Sequence, residues 1–130
     1  MRNIFIILIL LSILISCGKS ENVSCVKYYK SCNVYNFPGL LGEFTKEEAT
    51  SPEWPYLYII AYYNASGELY RTESYLNQSQ TNKIEYYYHD NGELYKEIVT
   101  YKSGKRKTYI HDQSGQFINQ IEEELTSDAF

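Results

Sequence analysis

The chain has 130 residues, and its 16 Asp and Glu outweigh 12 Lys and Arg to give a formal charge of −4. That length allows one domain with a modest core. The acidic balance excludes ready nucleic-acid binding, because phosphates need Lys and Arg partners, and it suits a basic protein partner instead.

The first element is residues 1–16. Arg2 supplies a positive charge, and Ile4 to Ile15 is an apolar run broken only by Ser12. This is the pattern of a cleaved secretory signal peptide. About a dozen apolar residues are too few for a spanning helix, which needs roughly 20. Leu14-Ile15-Ser16-Cys17 then resembles the lipobox of bacterial lipoproteins. The resemblance implies diacylation of the Cys17 thiol, cleavage before Cys17 and acylation of the new amino group. The alternative is a plain signal peptide with an incidental Cys. Two acyl chains hold a soluble domain on a bilayer, where one is marginal. In a Gram-negative cell, Gly18 is not the Asp that the family links with inner-membrane retention, so the periplasmic side of the outer membrane is the expected destination. Cleavage leaves Cys17 to Phe130, with 11 Lys and Arg against 16 Asp and Glu, a charge of −5.

Residues 17–24 read as the lipidated Cys and a small, polar tether. Residues 25–55 form an N-terminal segment. Cys25 to Tyr35 holds a short strand, and Cys25 and Cys32 are an even pair in an oxidising compartment, read as a disulfide. Free thiols are the alternative. Two Cys without a nearby His make a poor zinc site, which wants about four ligands. Asn36 to Gly42, with Pro38 and Gly39, is a loop. Thr45-Lys46-Glu47-Glu48 has the form of a capping box that opens a short helical turn, stopped by Pro52 and Pro55.

Residues 56–130 change character. Twelve of the fifteen Tyr lie there, and β-branched and aromatic runs alternate with turn residues. Six strands are expected: Tyr56–Tyr63, Glu68–Leu76, Lys83–His89, Glu93–Lys102, Arg106–His111 and Gln116–Glu123. Asn64 to Gly67, Asn77 to Asn82, Asp90 to Gly92, Ser103-Gly104 and Asp112 to Gly115 separate them. Connections this short make an antiparallel meander, so the fold class is all-β. Side-chain alternation puts Ile84, Tyr86 and Tyr88 on one face of their strand and Lys83, Glu85, Tyr87 and His89 on the other. On the next strand it groups Leu94, Lys96, Ile98 and Thr100 against Tyr95, Glu97, Val99 and Tyr101. One face is expected to pack on the Cys25–Trp54 segment.

The strands also repeat. Tyr62 to Tyr70 (YYNASGELY) aligns with Tyr87 to Tyr95 (YYHDNGELY), and a weaker third copy runs from Tyr109 to Phe117 (YIHDQSGQF). A lone hairpin is unstable, so the units must stack edge to edge. This pattern resembles the MORN-repeat-variant proteins, some of which are antitoxins, and the Tyr-Asp repeats of Rhs-type proteins. The resemblance implies a fold and carries over no functional residue.

No catalytic, metal or cofactor motif stands out. His89-Asp90 and His111-Asp112 sit at one point of the repeat, which argues for a role in bonding turn backbone. Glu122-Glu123-Glu124 is a solvated acidic run or a dock for a basic partner. The Tyr-rich surface is either cross-strand ladders or a recognition surface. On the second reading Tyr87, Tyr95 and Tyr101 are the candidate binding residues. The expected function is therefore non-enzymatic: a protein-binding module in the cell envelope, as an immunity or inhibitor protein. A structural or cell-wall-binding scaffold is the alternative. The open meander leaves edges through which copies can self-associate.

Overall fold

A computed structural model describes residues 25–32, 39–54 and 56–125. The expected signal peptide, Cys17 and the tether lie outside the described residues, as do residues 36–38 of the expected loop at Asn36–Gly42.

Eight strands form one sheet: β1 Cys25–Cys32, β2 Leu40–Phe44, β3 Tyr58–Tyr63, β4 Leu69–Leu76, β5 Ser79–Tyr88, β6 Leu94–Tyr101, β7 Lys105–His111 and β8 Phe117–Glu124. Their order is β2-β1-β3-β4-β5-β6-β7-β8, and every pair is antiparallel. The fold is thus all-β: β3 to β8 form the meander that alternation and short turns require, while β1 stands between β2 and β3 and is crossed by the connection joining them. The helix α1, Lys46–Ala49, begins at the expected capping box: Glu48 N donates to Thr45 Oγ1 at 3.2 Å, and Thr45 N donates to Glu48 Oε2 at 2.7 Å.

The main core cluster lies on one face, while Tyr58 and Thr100 are buried on the other. Ala61, Leu69, Tyr86 and Leu94 are buried together, and Tyr29, Leu40, Tyr63, Ile84 and Tyr88 pack against them. Ala61, Thr72, Ile84 and Val99 stand in register across β3 to β6, which marks this as the first face. Tyrosine serves as core here because each buried hydroxyl finds a partner. Tyr86 OH lies 3.0 Å from Thr72 Oγ1, and Tyr88 OH donates to the Leu69 carbonyl at 2.6 Å.

Several expectations are corrected. Cys25 and Cys32 do not form a disulfide with each other. They are the two ends of β1, about 23 Å apart at the rise of an extended strand, and a disulfide needs Cα atoms within roughly 7 Å. Cys32 is a free, exposed thiol. Among the described residues of the Cys25–Trp54 segment, the strands do not cover a face as expected. Strands β1 and β2 extend the sheet in its own plane. Leu40 to Gly42, expected in a loop, belong to β2, where Gly42 has φ +70°. The expected six-residue connection at Asn77–Asn82 is a two-residue turn, with Asn77 and Gln78 at φ 50° and 64°. That is the positive-φ pair a tight hairpin requires, made without Gly.

The repeat itself is stricter in space than in sequence. Each Gly-containing hairpin carries the same register shift, at Tyr62/Tyr63, Tyr87/Tyr88 and Ile110/His111. The pairs Tyr63–Leu69, Tyr88–Leu94 and His111–Phe117 close the three hairpins. One extra residue then bulges from each return strand: Tyr70, Tyr95 and Ile118. The bulge corrects the expected faces of β6. It moves Leu94 to the first face, with Val99 and Tyr101.

Candidate functional site

The bulges build a row on the second face of the sheet. A bulge sets two residues of one strand opposite one residue of its neighbour. In the first unit Tyr70 and Arg71 stand opposite Tyr62, and in the second Tyr95 and Lys96 stand opposite Tyr87. Arg71 lies 4.1 Å from the Tyr62 ring centroid and 5.9 Å from that of Tyr70. Lys96 Nζ lies 4.5 Å from the Tyr87 centroid and 5.7 Å from that of Tyr95. Each unit therefore holds one cation between two tyrosines. At a partly exposed site such a contact contributes about 0.5–1 kcal/mol. In the third unit the corresponding residues are Ile110, Ile118 and Asn119, so the row ends after two copies.

The two copies differ in what else they touch. Arg71 is paired with Glu73 at 3.3 Å, and Glu73 also accepts hydroxyls from Tyr62 at 3.1 Å and Tyr75 at 3.0 Å. Burial, then the adjacent Glu73 charge, pushes the Tyr62 phenol above its ordinary range. The second copy is more open: Tyr87 and Tyr95 are 42% and 41% exposed. Tyr95 also meets His89, with ring centroids 5.1 Å apart. It lines a cleft of about 420 Å³ with Tyr88, His89, Asp90, Asn91 and Gln113, between the second and third turns.

The structure thus brings Tyr87 and Tyr95 together and leaves Tyr101 out. Tyr101 pairs with Asn82 on the first face, on the other side of the sheet. Sequence reasoning missed the cations between the rings. Arg71 and Lys96 each stand four residues after the turn glycine, so extending the repeat by one residue past Tyr70 and Tyr95 exposes them.

The His-Asp pairs do not act as units. His89 Nε2 lies 3.2 Å from the His111 carbonyl, while His111 Nε2 lies 3.1 Å from Glu97 Oε2. The two also occupy different points of the repeat, contrary to expectation. Asn64, His89 and Asp112 are the equivalent turn openers, each bonded through its N–H to the carbonyl four residues on. The backbone-bonding role does hold for Asp112. Its Oδ1 accepts from Ser114 N at 2.9 Å and Gln116 N at 3.0 Å, just as Asn64 Oδ1 accepts from Ser66 N and Glu68 N. His89 cannot do this, and Asn91 Oδ1 accepts from Glu93 N in its place.

A second aromatic group lies near the β2 edge. Lys30 Nζ is 5.5 Å from the Phe44 centroid and 5.6 Å from that of Trp54, over a cleft of about 320 Å³. The chain's own cation already occupies those rings. Glu122-Glu123-Glu124 is less free than its sequence suggests, since Glu122 pairs with Lys105 and Lys107 and Glu123 with Arg106.

Among the described residues, no group of three or more His, Cys, Asp or Glu converges as a metal site, and no helix is long and apolar enough to cross a membrane. What the row offers is flat, amphipathic rings with cations set among them. No family model matches the chain, and neither a curated protein nor a solved structure matches it.

Proposed function

We propose that this chain is a membrane-anchored lipoprotein whose tyrosine–cation row binds another protein in the cell envelope, in the manner of an immunity or inhibitor protein. The supporting observation is the repeated cluster itself, above all Tyr87, Lys96 and Tyr95. Its rings are rigid, half-exposed and polar at the tip, the properties of residues that carry interface energy. The net acidity of the chain steers a basic partner toward the sheet. The anchor is the acylated Cys17, and the reading includes no enzymatic step. The lipobox-like Leu-Ile-Ser-Cys and the antitoxin resemblance of the repeats support the anchor and the inhibitory role respectively.

Photo-crosslinking in cells tests the surface. A photoreactive residue at Tyr95 is expected to capture one protein at defined stoichiometry. The same group at Tyr101, on the opposite face, is expected to capture it at least tenfold less. Equal capture at both positions, or none at Tyr95, rejects the row as the contact. Pelleting with peptidoglycan in the absence of protein capture favours the cell-wall scaffold instead. For the anchor, a labelled fatty acid is expected on the mature chain and lost in Cys17→Ser. An unlabelled chain, or Cys17 recovered in a disulfide, overturns it.

A further inference from the structure

The sheet has two edges, and they are unlike. β2 is five residues long, has Gly42 at φ +70° within it, and runs directly into α1. Short, irregular edges resist pairing. β8 is eight residues long, exposed at every position and regular after its bulge. It presents Phe117 at 59%, Ile118 at 60% and Ile121 at 45% exposure. Phe117 holds the repeat position of the buried Leu69 and Leu94, and among the described residues no further strand covers it. Along this edge Gln120 N–H donates to the neighbouring Asn119 Oδ1 at 2.8 Å, a local partner standing where a strand carbonyl would serve.

We propose that a second copy of this chain supplies the missing strand, its β8 pairing antiparallel with the first about a two-fold axis at Ile121. Two identical edges pair antiparallel only with residues of like parity opposite each other, because outward-pointing backbone groups must meet. Among the registers that keep most of β8 paired, centring on Ile121 matches the chemistry best. Ile121 meets its own copy, Gln120 faces Glu122, Asn119 faces Glu123, and Ile118 faces Glu124. Side-chain amides then donate to the carboxylates, and no glutamate stands opposite a glutamate. Centring on Glu123 places carboxylates opposite one another, and like charges directly opposite destabilise a sheet. Lys105, Arg106 and Lys107 of β7 already neutralise Glu122 and Glu123 within each chain. Because Gln120 carries its N–H outward, Ile121 falls at a non-hydrogen-bonded pair, where Cα atoms approach to about 4.5 Å. Such an isologous contact closes at two copies, whereas β8 on β2 would continue as a fibre.

The test is oxidative crosslinking of the full-length, anchored protein in its native membranes, with Cys32→Ser as background. Ile121→Cys is expected to form a covalent homodimer in most chains. Glu124→Cys sits equally exposed on β8, but its copies lie about 20 Å apart along the pairing, and it is expected to crosslink at least tenfold less. Because Ile121 is half-exposed, the single variant Ile121→Lys keeps the fold. It tests whether association itself is lost: a two-ended amine crosslinker is expected to recover no dimer from it where the wild type gives one. Equal crosslinking at positions 121 and 124 indicates random collision and overturns the proposal. So does a monomeric wild type, or an Ile121→Cys chain joined to a different polypeptide.

Discussion

At the scale of single residues, the turns show how one geometry is reached by different side chains. Gly67 and Gly104 both have φ above +80°. A Cβ on Gly67 would meet nothing within 4 Å, while one on Gly104 would lie 3.2 Å from the Leu125 carbonyl oxygen. Gly67→Ala therefore costs only the left-handed backbone, about 1–2 kcal/mol, and Gly104→Ala costs more, because a backbone atom must shift. Urea denaturation of the two variants is expected to show that order. Asp112 offers a pH test. Its carboxyl is held below the usual range, first by the Ser114 hydroxyl and then by the Gln116 N–H. A folded pKa below the unfolded one stabilises at pH above the unfolded value, and that contribution is lost as pH falls through the folded value. Asn64 makes the same bonds with an amide that does not titrate. Asp112→Asn is thus expected to keep the turn and to flatten the loss of stability between pH 5 and pH 2, read from denaturation midpoints. An unchanged acid limb would show that Asp112 does not contribute to it. The same scale marks the limit of sequence reading at the row. Tyr87 and Tyr95 were legible as exposed tyrosines. Their union with Lys96 was not, because strict alternation separates Tyr95 from Lys96 and only the bulge brings them to one face.

At the scale of elements, the hairpin unit explains both what alternation revealed and what it hid. The six later strands were legible to within a few residues, since aromatic and β-branched runs ended at Asn, Asp and Gly. β2 was hidden, because Gly39 and Gly42 read as a loop although the chain between them pairs with β1. The bulges were hidden too, since an extra residue leaves composition unchanged and reverses parity. The stacking of units then predicts unequal costs at one repeat position. Leu94 is buried beneath its neighbours and Phe117 is exposed at the edge. Leu94→Ala is expected to cost about 3 kcal/mol, and Phe117→Ala less than about 1 kcal/mol in the monomer, by urea unfolding. Similar costs would mean that β8 is covered.

For the whole molecule, the core is a titration experiment in itself. Among the described residues no second sheet packs on the buried face, and tyrosine rings fill much of it. Burial pushes the phenols of Tyr63, Tyr86 and Tyr88 on that face, and of Tyr58, Tyr62 and Tyr75 on the second face, above the ordinary value of 10.0. Tyr86 shows the balance: burial raises it, and the Thr72 hydroxyl opposes that rise only in part. A phenol with a folded pKa above its unfolded one binds its proton more tightly in the native state. Its full contribution is present below pH 10 and is lost as pH rises toward the folded value, because the unfolded chain gains by ionising first. Six such groups drain stability over the same window, so they act together. Above pH 10 the sheet is expected to unfold cooperatively, and phenolate absorbance from these six is expected to appear with the loss of β-sheet circular dichroism rather than before it. Tyr86→Phe removes one of the six and is expected to shift that transition to higher pH, relative to its own stability at pH 7. If all fifteen tyrosines instead ionise near pH 10 while the sheet signal persists, the six rings are not buried as described here.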